Sequence, residues 1–218
     1  MKKVIVFGLL FISFACDQKP KIEFQYSNQP DLFLCSDADM DLVKEAVYVF
    51  EDYIKSNYSF LSKDRPEGYH NYIRLLLDDR SPAREFFNDY LKSFTKYIKE
   101  QDELWTEKDG LLKLDYNHPL VTCIINNIQD EQLKNTIDAM ITSNTVRPEV
   151  IGPLMFRNKH LMVEDRALAT YLIFETFYPK LFYMDSPEFI ENAEKFKKDD
   201  QIKSESIKSI KKGDTIKN

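Results

Sequence analysis

The stretch MDLVKEAVYVFEDYI, residues 40–54, decides the fold class. Met40, Val43, Ala46, Val47, Phe50, Tyr53 and Ile54 recur every three or four positions, the spacing that places side chains on one face of an α-helix. Asp37, Asp39 and Asp41 stand at its amino end, where a cap and acids complement the exposed N–H groups. Acids at alternate positions also open calcium-binding loops. Such a loop starting at Asp37 needs Gly at its sixth position and Glu at its twelfth, and the chain has Leu42 and Tyr48 there. The spacing therefore predicts a helix that starts after Ser36 or Asp37 and fades near Asn57.

Outward from this stretch the helical pattern repeats. Residues 59–68 read as a loop and 69–77 as a short helix. Ser81-Pro82 pairs a cap with proline at the first helical position. The helix it opens carries Phe86, Phe87, Tyr90, Leu91, Phe94, Tyr97 and Ile98, then Leu104 and Trp105 after a polar gap. Run on to residue 108, it would be about 40 Å long and form the spine of the fold, with Gly110 as its stop. A competing reading makes Asp109-Gly110 a hairpin turn between short strands. Asn117 is positioned to cap a helix through Pro119, Leu120, Cys123, Ile124 and Ile128. Asp130 caps another with Leu133, Ile137, Met140 and Ile141 on one face. Pro148 and Pro153 bracket a short segment. Residues 163–177 form a nearly all-apolar helix, which should be buried on most sides. Ser186-Pro187 starts a last helix that runs to about residue 198. The sum is an all-α class: a single multi-helix globular domain of about seven helices over residues 37–198, with an extended N-terminal tether at 16–36 and a disordered C-terminal tail at 199–218.

Composition narrows the function. The 218 residues suffice for one domain with a substantial core. Gly is scarce, at five, which argues against Gly-rich phosphate loops. The formal net charge is −6 with acids and bases interspersed, and no basic stripe suits a nucleic acid.

The first sixteen residues carry an address. Lys2 and Lys3 precede a mostly apolar run at 4–14, then Ala15 and Cys16. The run would rise roughly 18 Å as a helix, short of the ~30 Å hydrocarbon core of a bilayer. Basic start, apolar middle and small residues Ser13 and Ala15 form a three-part secretory pattern, which an ordinary signal peptidase also accepts. With the cysteine following, the segment resembles a bacterial lipoprotein signal peptide. That family usually has Leu three residues before the cysteine, and this chain has Ser13 there and Phe14 next. The resemblance implies that residues 1–15 are removed and that Cys16 is acylated. It further implies a mature chain of net charge −8 held to a membrane of the cell envelope by its lipid.

In an oxidising compartment Cys35 and Cys123 are candidates for a disulfide that staples the tether to the domain; two separate thiols is the other reading. His160 and Glu164 lie four apart with Asp165 beside them, but a zinc site needs three or four ligands, so no metal site and no cofactor is expected. Neither Cys123 nor any Ser sits in a recognisable nucleophile motif. Asp78-Asp79-Arg80 and Glu164-Asp165-Arg166 are the local carboxylate pairs and read most simply as charged helix ends. Tyr171, Phe174, Phe177, Tyr178, Phe182 and Tyr183 form a ring cluster that suits a core or an apolar ligand pocket. The expected function is a non-enzymatic protein-binding module of the envelope, such as an immunity-type inhibitor or an assembly accessory. An envelope hydrolase and a small-molecule carrier with an aromatic pocket are the alternatives. The partners expected are the membrane, through the lipid, and a protein, with no nucleic acid.

Overall fold

Helix α1 (Met40–Tyr58) grows from the stretch that decides the fold, and the side chain of Asp39 caps it by accepting from the N–H of Leu42 at 3.0 Å. The computed structural model describes residues 21–36, 38–77, 88–101, 103–108 and 110–184. The predicted signal peptide, Cys16, the Ser81-Pro82 helix start, the helix from Ser186-Pro187 and the tail at 199–218 lie outside the described residues. After α1 come α2 (Arg65–Leu77), α3 (Asp89–Lys99), β1 (Trp105–Lys108), β2 (Leu111–Leu114), α4 (Pro119–Asn126), α5 (Glu131–Thr142) and α6 (Pro148–Arg157). A 3-10 turn (Lys159–Leu161), α7 (Arg166–Thr176) and the single-turn α8 (Tyr178–Leu181) complete the order. The class is all-α with one small hairpin.

The chain is built around α7. Nine of its eleven residues are buried, from Ala167 to Phe174 and again at Thr176. It packs against α1, α4, β2 and α8, while α1 also packs against α2, and α2 against α6. Its entry is fixed by Asp165, which is buried and accepts from the N–H groups of Leu168 (3.0 Å) and Gln129 (2.8 Å). Rings fill the space between α1, α2 and α7. Phe50 meets Tyr69, Tyr72 and Phe177 with centroids 4.9–5.5 Å apart. Two buried hydroxyls of this cluster find partners: Tyr178 donates to the carbonyl of Ala46 at 2.7 Å, and Tyr72 bonds Thr176 at 2.9 Å. Gly68 lets α2 approach α1, since a Cβ there would stand 3.0 Å from Ile54.

Four expectations need correction. The long spine helix does not exist in its carboxyl half. α3 ends at Lys99, and residues 105–114 form an antiparallel hairpin with Lys108 opposite Leu111. Gly110 does take the left-handed conformation (φ +76°), but as the hairpin turn. The polar gap at 99–103 is where the chain reverses. Glu103 adopts φ +63°, and Trp105 folds back so that its indole N–H donates to the carbonyl of Ile98 at 2.7 Å. The cap of α4 is His118, not Asn117: its Nδ1 accepts from Leu120 N–H, and Pro119 holds the first helical position. Pro153 lies inside α6 instead of ending it, and α2 starts at Arg65, four residues before its predicted start.

The described part of the tether is an extended arm on the domain surface. Residues 21–36 lie along the domain, with Ile22, Phe24 and Tyr26 turned toward the core. Phe24 packs edge-on to Phe94 and Tyr97. Glu45 of α1 is fully buried and receives the backbone N–H groups of Gln25 (2.9 Å) and Tyr26 (2.8 Å), with the Tyr90 hydroxyl donating beside them. Glu45→Ala removes the acceptor these donors share and should cost about 2 kcal/mol. Hydrogen exchange will detect it as faster exchange at Gln25 and Tyr26 with the amides of α7 unchanged. Uniformly faster exchange throughout the domain would contradict a local latch.

Candidate functional site

An apolar concavity opens where the hairpin leans over the ends of three helices. Hairpin residues Leu111, Leu112 and Leu114, Leu76 at the end of α2, Val146 and Ile151 around the start of α6, and Pro179 of α8 line a cleft of about 640 Å³. Such a volume suits a small organic ligand. Gly152 is buried where α6 packs on the end of α2, and a Cβ on it would make ordinary contact, 3.5 Å, with the carbonyl of Leu76. Tyr183 ties the hairpin to the chain after α8 by accepting the backbone N–H of Leu112.

Polar groups enter this apolar wall at few points. Glu175, the penultimate residue of α7, lines the cleft and receives the Tyr116 hydroxyl at 2.8 Å. Burial raises the pKa of its carboxyl to about 7, although the Tyr116 hydrogen bond and the charge of Lys113 pull the other way. The Tyr171 hydroxyl lies in the same group, buried and without a well-aligned hydrogen bond. The other carboxylate of the lining, Asp115, accepts from the N–H and side-chain amide of Asn117 at 2.9 and 3.1 Å and holds the turn into α4. Lys108, Lys113 and Lys180 also line the cleft, with the two hairpin lysines exposed at its solvent edge.

The raised pKa of Glu175 has a definite consequence for stability. The carboxyl ionises near its ordinary 4.5 in the unfolded chain and near 7 in the fold. Between those values the fold keeps a proton that the unfolded chain has lost, so this group lowers stability as pH rises through that window, and the effect is flat above it. Glu175→Gln removes the dependence. Its melting temperature relative to the parent should therefore rise between pH 4.5 and pH 8. An offset that is the same at both pH values would contradict the assignment.

Most residues singled out in the sequence lie elsewhere. Tyr171, Phe174, Phe177, Tyr178 and Phe182 are core residues, and of that ring cluster Tyr183 alone lines the cleft. Cys35 and Cys123 are joined in a disulfide with Cα atoms 6.1 Å apart, which pins the far end of the arm to α4. His160 and Glu164 are exposed, and Asp165 is the cap of α7 instead of their neighbour in a site. Among the described residues no group of three or more His, Cys, Asp or Glu side chains converges, and no helix is long and apolar enough to cross a membrane. Asp78 and Asp79 lie outside the described residues. Glu175 and Tyr116 went unmarked in the sequence. The available signal was a lone acid inside the nearly all-apolar run 167–177.

A second feature faces solvent. Phe60 and Leu61 are 71% and 93% exposed on the loop between α1 and α2. The carboxylate of Glu67 gathers that loop, accepting from the N–H groups of Leu61 and Ser62 and the hydroxyls of Ser59 and Ser62 at 2.8–3.1 Å. Desolvation works against its charge, yet these donors outweigh it and hold the carboxyl at about 2. Two large apolar side chains are thus presented on an ordered loop.

Compared with known protein families, with curated proteins and with solved structures, the chain matches none.

Proposed function

We propose that this chain is a non-enzymatic binding protein of a bacterial envelope, tethered through lipid on Cys16, whose ligand seats in the cleft under the hairpin. The observation that carries this reading is the cleft itself: apolar walls drawn from four elements, with one carboxyl, Glu175, placed among them. A buried apolar concavity with few polar groups is the general form of a small-ligand site. Hydrolysis asks for more, a nucleophile beside a base or a pair of working carboxylates. No His, Cys or Ser is among the described lining residues, and Asp115 is engaged in its turn. The Cys35–Cys123 bridge supports a compartment outside the cytoplasm, because such bonds persist where thiols are oxidised.

Binding of the neutral apolar dye Nile red to the full chain tests this. One dye should bind with blue-shifted emission, and Val146→Trp, which fills the cleft from a loop position, should weaken it by about tenfold. Dye binding that survives Val146→Trp and is lost in Leu61→Ser would contradict the reading. The anchor is tested separately. Cys16→Ala should move the protein to the soluble fraction and abolish labelling by palmitate.

A protein-binding module is the second reading, and the Phe60–Leu61 loop favours it. Exposed anchors on a pre-ordered loop are what a protein interface uses. Phe60→Ser/Leu61→Ser would then abolish complex formation with a purified partner while leaving dye binding intact.

A further inference from the structure

The charge around the cleft runs against the charge of the chain. The protein carries −6 overall, yet the cleft is lined by Lys108, Lys113 and Lys180 against Asp115 and Glu175. Asp115 is turned into its own hydrogen bonds with Asn117, and Glu175 sits at the inner wall under the Tyr116 hydroxyl. The lysines are arranged differently. Lys108 and Lys113 lie on opposite strands of the hairpin and are exposed, and Lys108 donates to the side-chain oxygen of Asn144 across the cleft at 3.1 Å. Leu76, Leu112, Val146, Ile151 and Pro179 supply the apolar part of the lining. The result is a two-part surface, hydrocarbon within and ammonium groups at the solvent edge.

We infer that the cleft takes an anionic amphiphile, a single apolar chain or ring system that ends in an acidic group, with the apolar part against the leucine walls and the acid at the lysines. This rests on the cleft being the ligand site proposed above. The apolar wall supplies non-directional affinity by removing hydrocarbon from water. Lys108 and Lys113 at the exposed edge select the head group, since each is a compact charge with three donors that can turn toward a carboxylate or phosphate. A cationic head group would meet like charge at this edge. A neutral one would gain the wall and nothing from the lysines.

Competition against Nile red on the full chain separates these cases, with dodecanoate, dodecanol and dodecyltrimethylammonium as probes below their micelle concentrations. Dodecanoate should displace the dye at roughly tenfold lower concentration than either of the others, the size expected from a few solvent-exposed ion pairs. Its advantage should shrink as salt is raised, while that of dodecanol stays put. Lys108→Gln/Lys113→Gln should bring the anionic and neutral probes level. Equal displacement by all three probes in the parent chain would overturn the acidic-ligand inference while leaving the apolar site standing. Stronger displacement by the cationic probe, or none by dodecanoate while the dye remains bound, would overturn it too. Failure of Nile red to bind at all would remove the site on which it rests.

Discussion

Replacing both Cys35 and Cys123 by Ser will lower the unfolding free energy by about 4–5 kcal/mol, the chain-entropy value for a loop of this size. The bridge spans 88 positions in sequence, so cutting it frees a segment that includes α1, α2, α3 and the hairpin. In the unfolded ensemble that segment gains the conformations which the bond excluded. In the folded state little changes, because the Cα separation of 6.1 Å lies within the ordinary range for a disulfide. Against a typical domain stability of about 5–15 kcal/mol this is a large share. Denaturant unfolding of the double Ser variant measures it, with the parent before and after reduction as a second reading. A loss below about 1 kcal/mol would mean that the arm contributes little closure beyond its latch on Glu45.

Glu51→Ala is the second large effect, at about 3–5 kcal/mol. The Glu51 side chain is 5% exposed and that of Arg166 15%, and the two are paired at the point where α1 crosses the start of α7. Glu51 also receives the Tyr69 hydroxyl at 3.1 Å and lies 3.4 Å from Arg65. Removing it leaves the Arg166 guanidinium buried without its carboxylate, and one of its nitrogens already lacks a partner in the fold. An ion pair taken out whole behaves differently from one that is broken, because no uncompensated charge is left behind. The double variant Glu51→Met/Arg166→Met should therefore recover much of the loss. Thermal unfolding of the single and double variants tests this. A double variant as unstable as the single one would show that the loss came from packing.

Legibility in the sequence followed the range of the interactions. α1, α5 and α7 were legible because each is a run of apolar residues at helical spacing with an acid at its cap, and caps and spacing are local properties. The end of α3 was not. Leu104 and Trp105 continue the apolar spacing of α3, but they reach the core because the chain folds back, with Leu104 buried and the half-buried Trp105 ring stacked on Phe174 at 6.2 Å. Spacing cannot distinguish a helix that continues from a reversal that returns to the same core. The arm at 21–36 showed a brief apolar alternation at Ile22, Phe24 and Tyr26 that suits a surface arm, but its latch was hidden, because Glu45 lies twenty positions from Gln25 and the pattern of α1 marked it only as one more charge. The cleft was the least legible part. It is assembled from Leu76, Leu112, Val146, Ile151 and Glu175, residues drawn from the whole length of the domain, and no segment of the chain carries more than a fragment of it.

The central claim is that this cleft is where the ligand sits, and methyl-resolved NMR of the full chain titrated with dodecanoate tests it most directly. Saturable shifts should appear at the methyls of Leu112, Val146 and Ile151, with those of Ile54 and Ile98 in the core unmoved. Shifts confined to Leu61, or spread evenly over the exposed methyls, would contradict it.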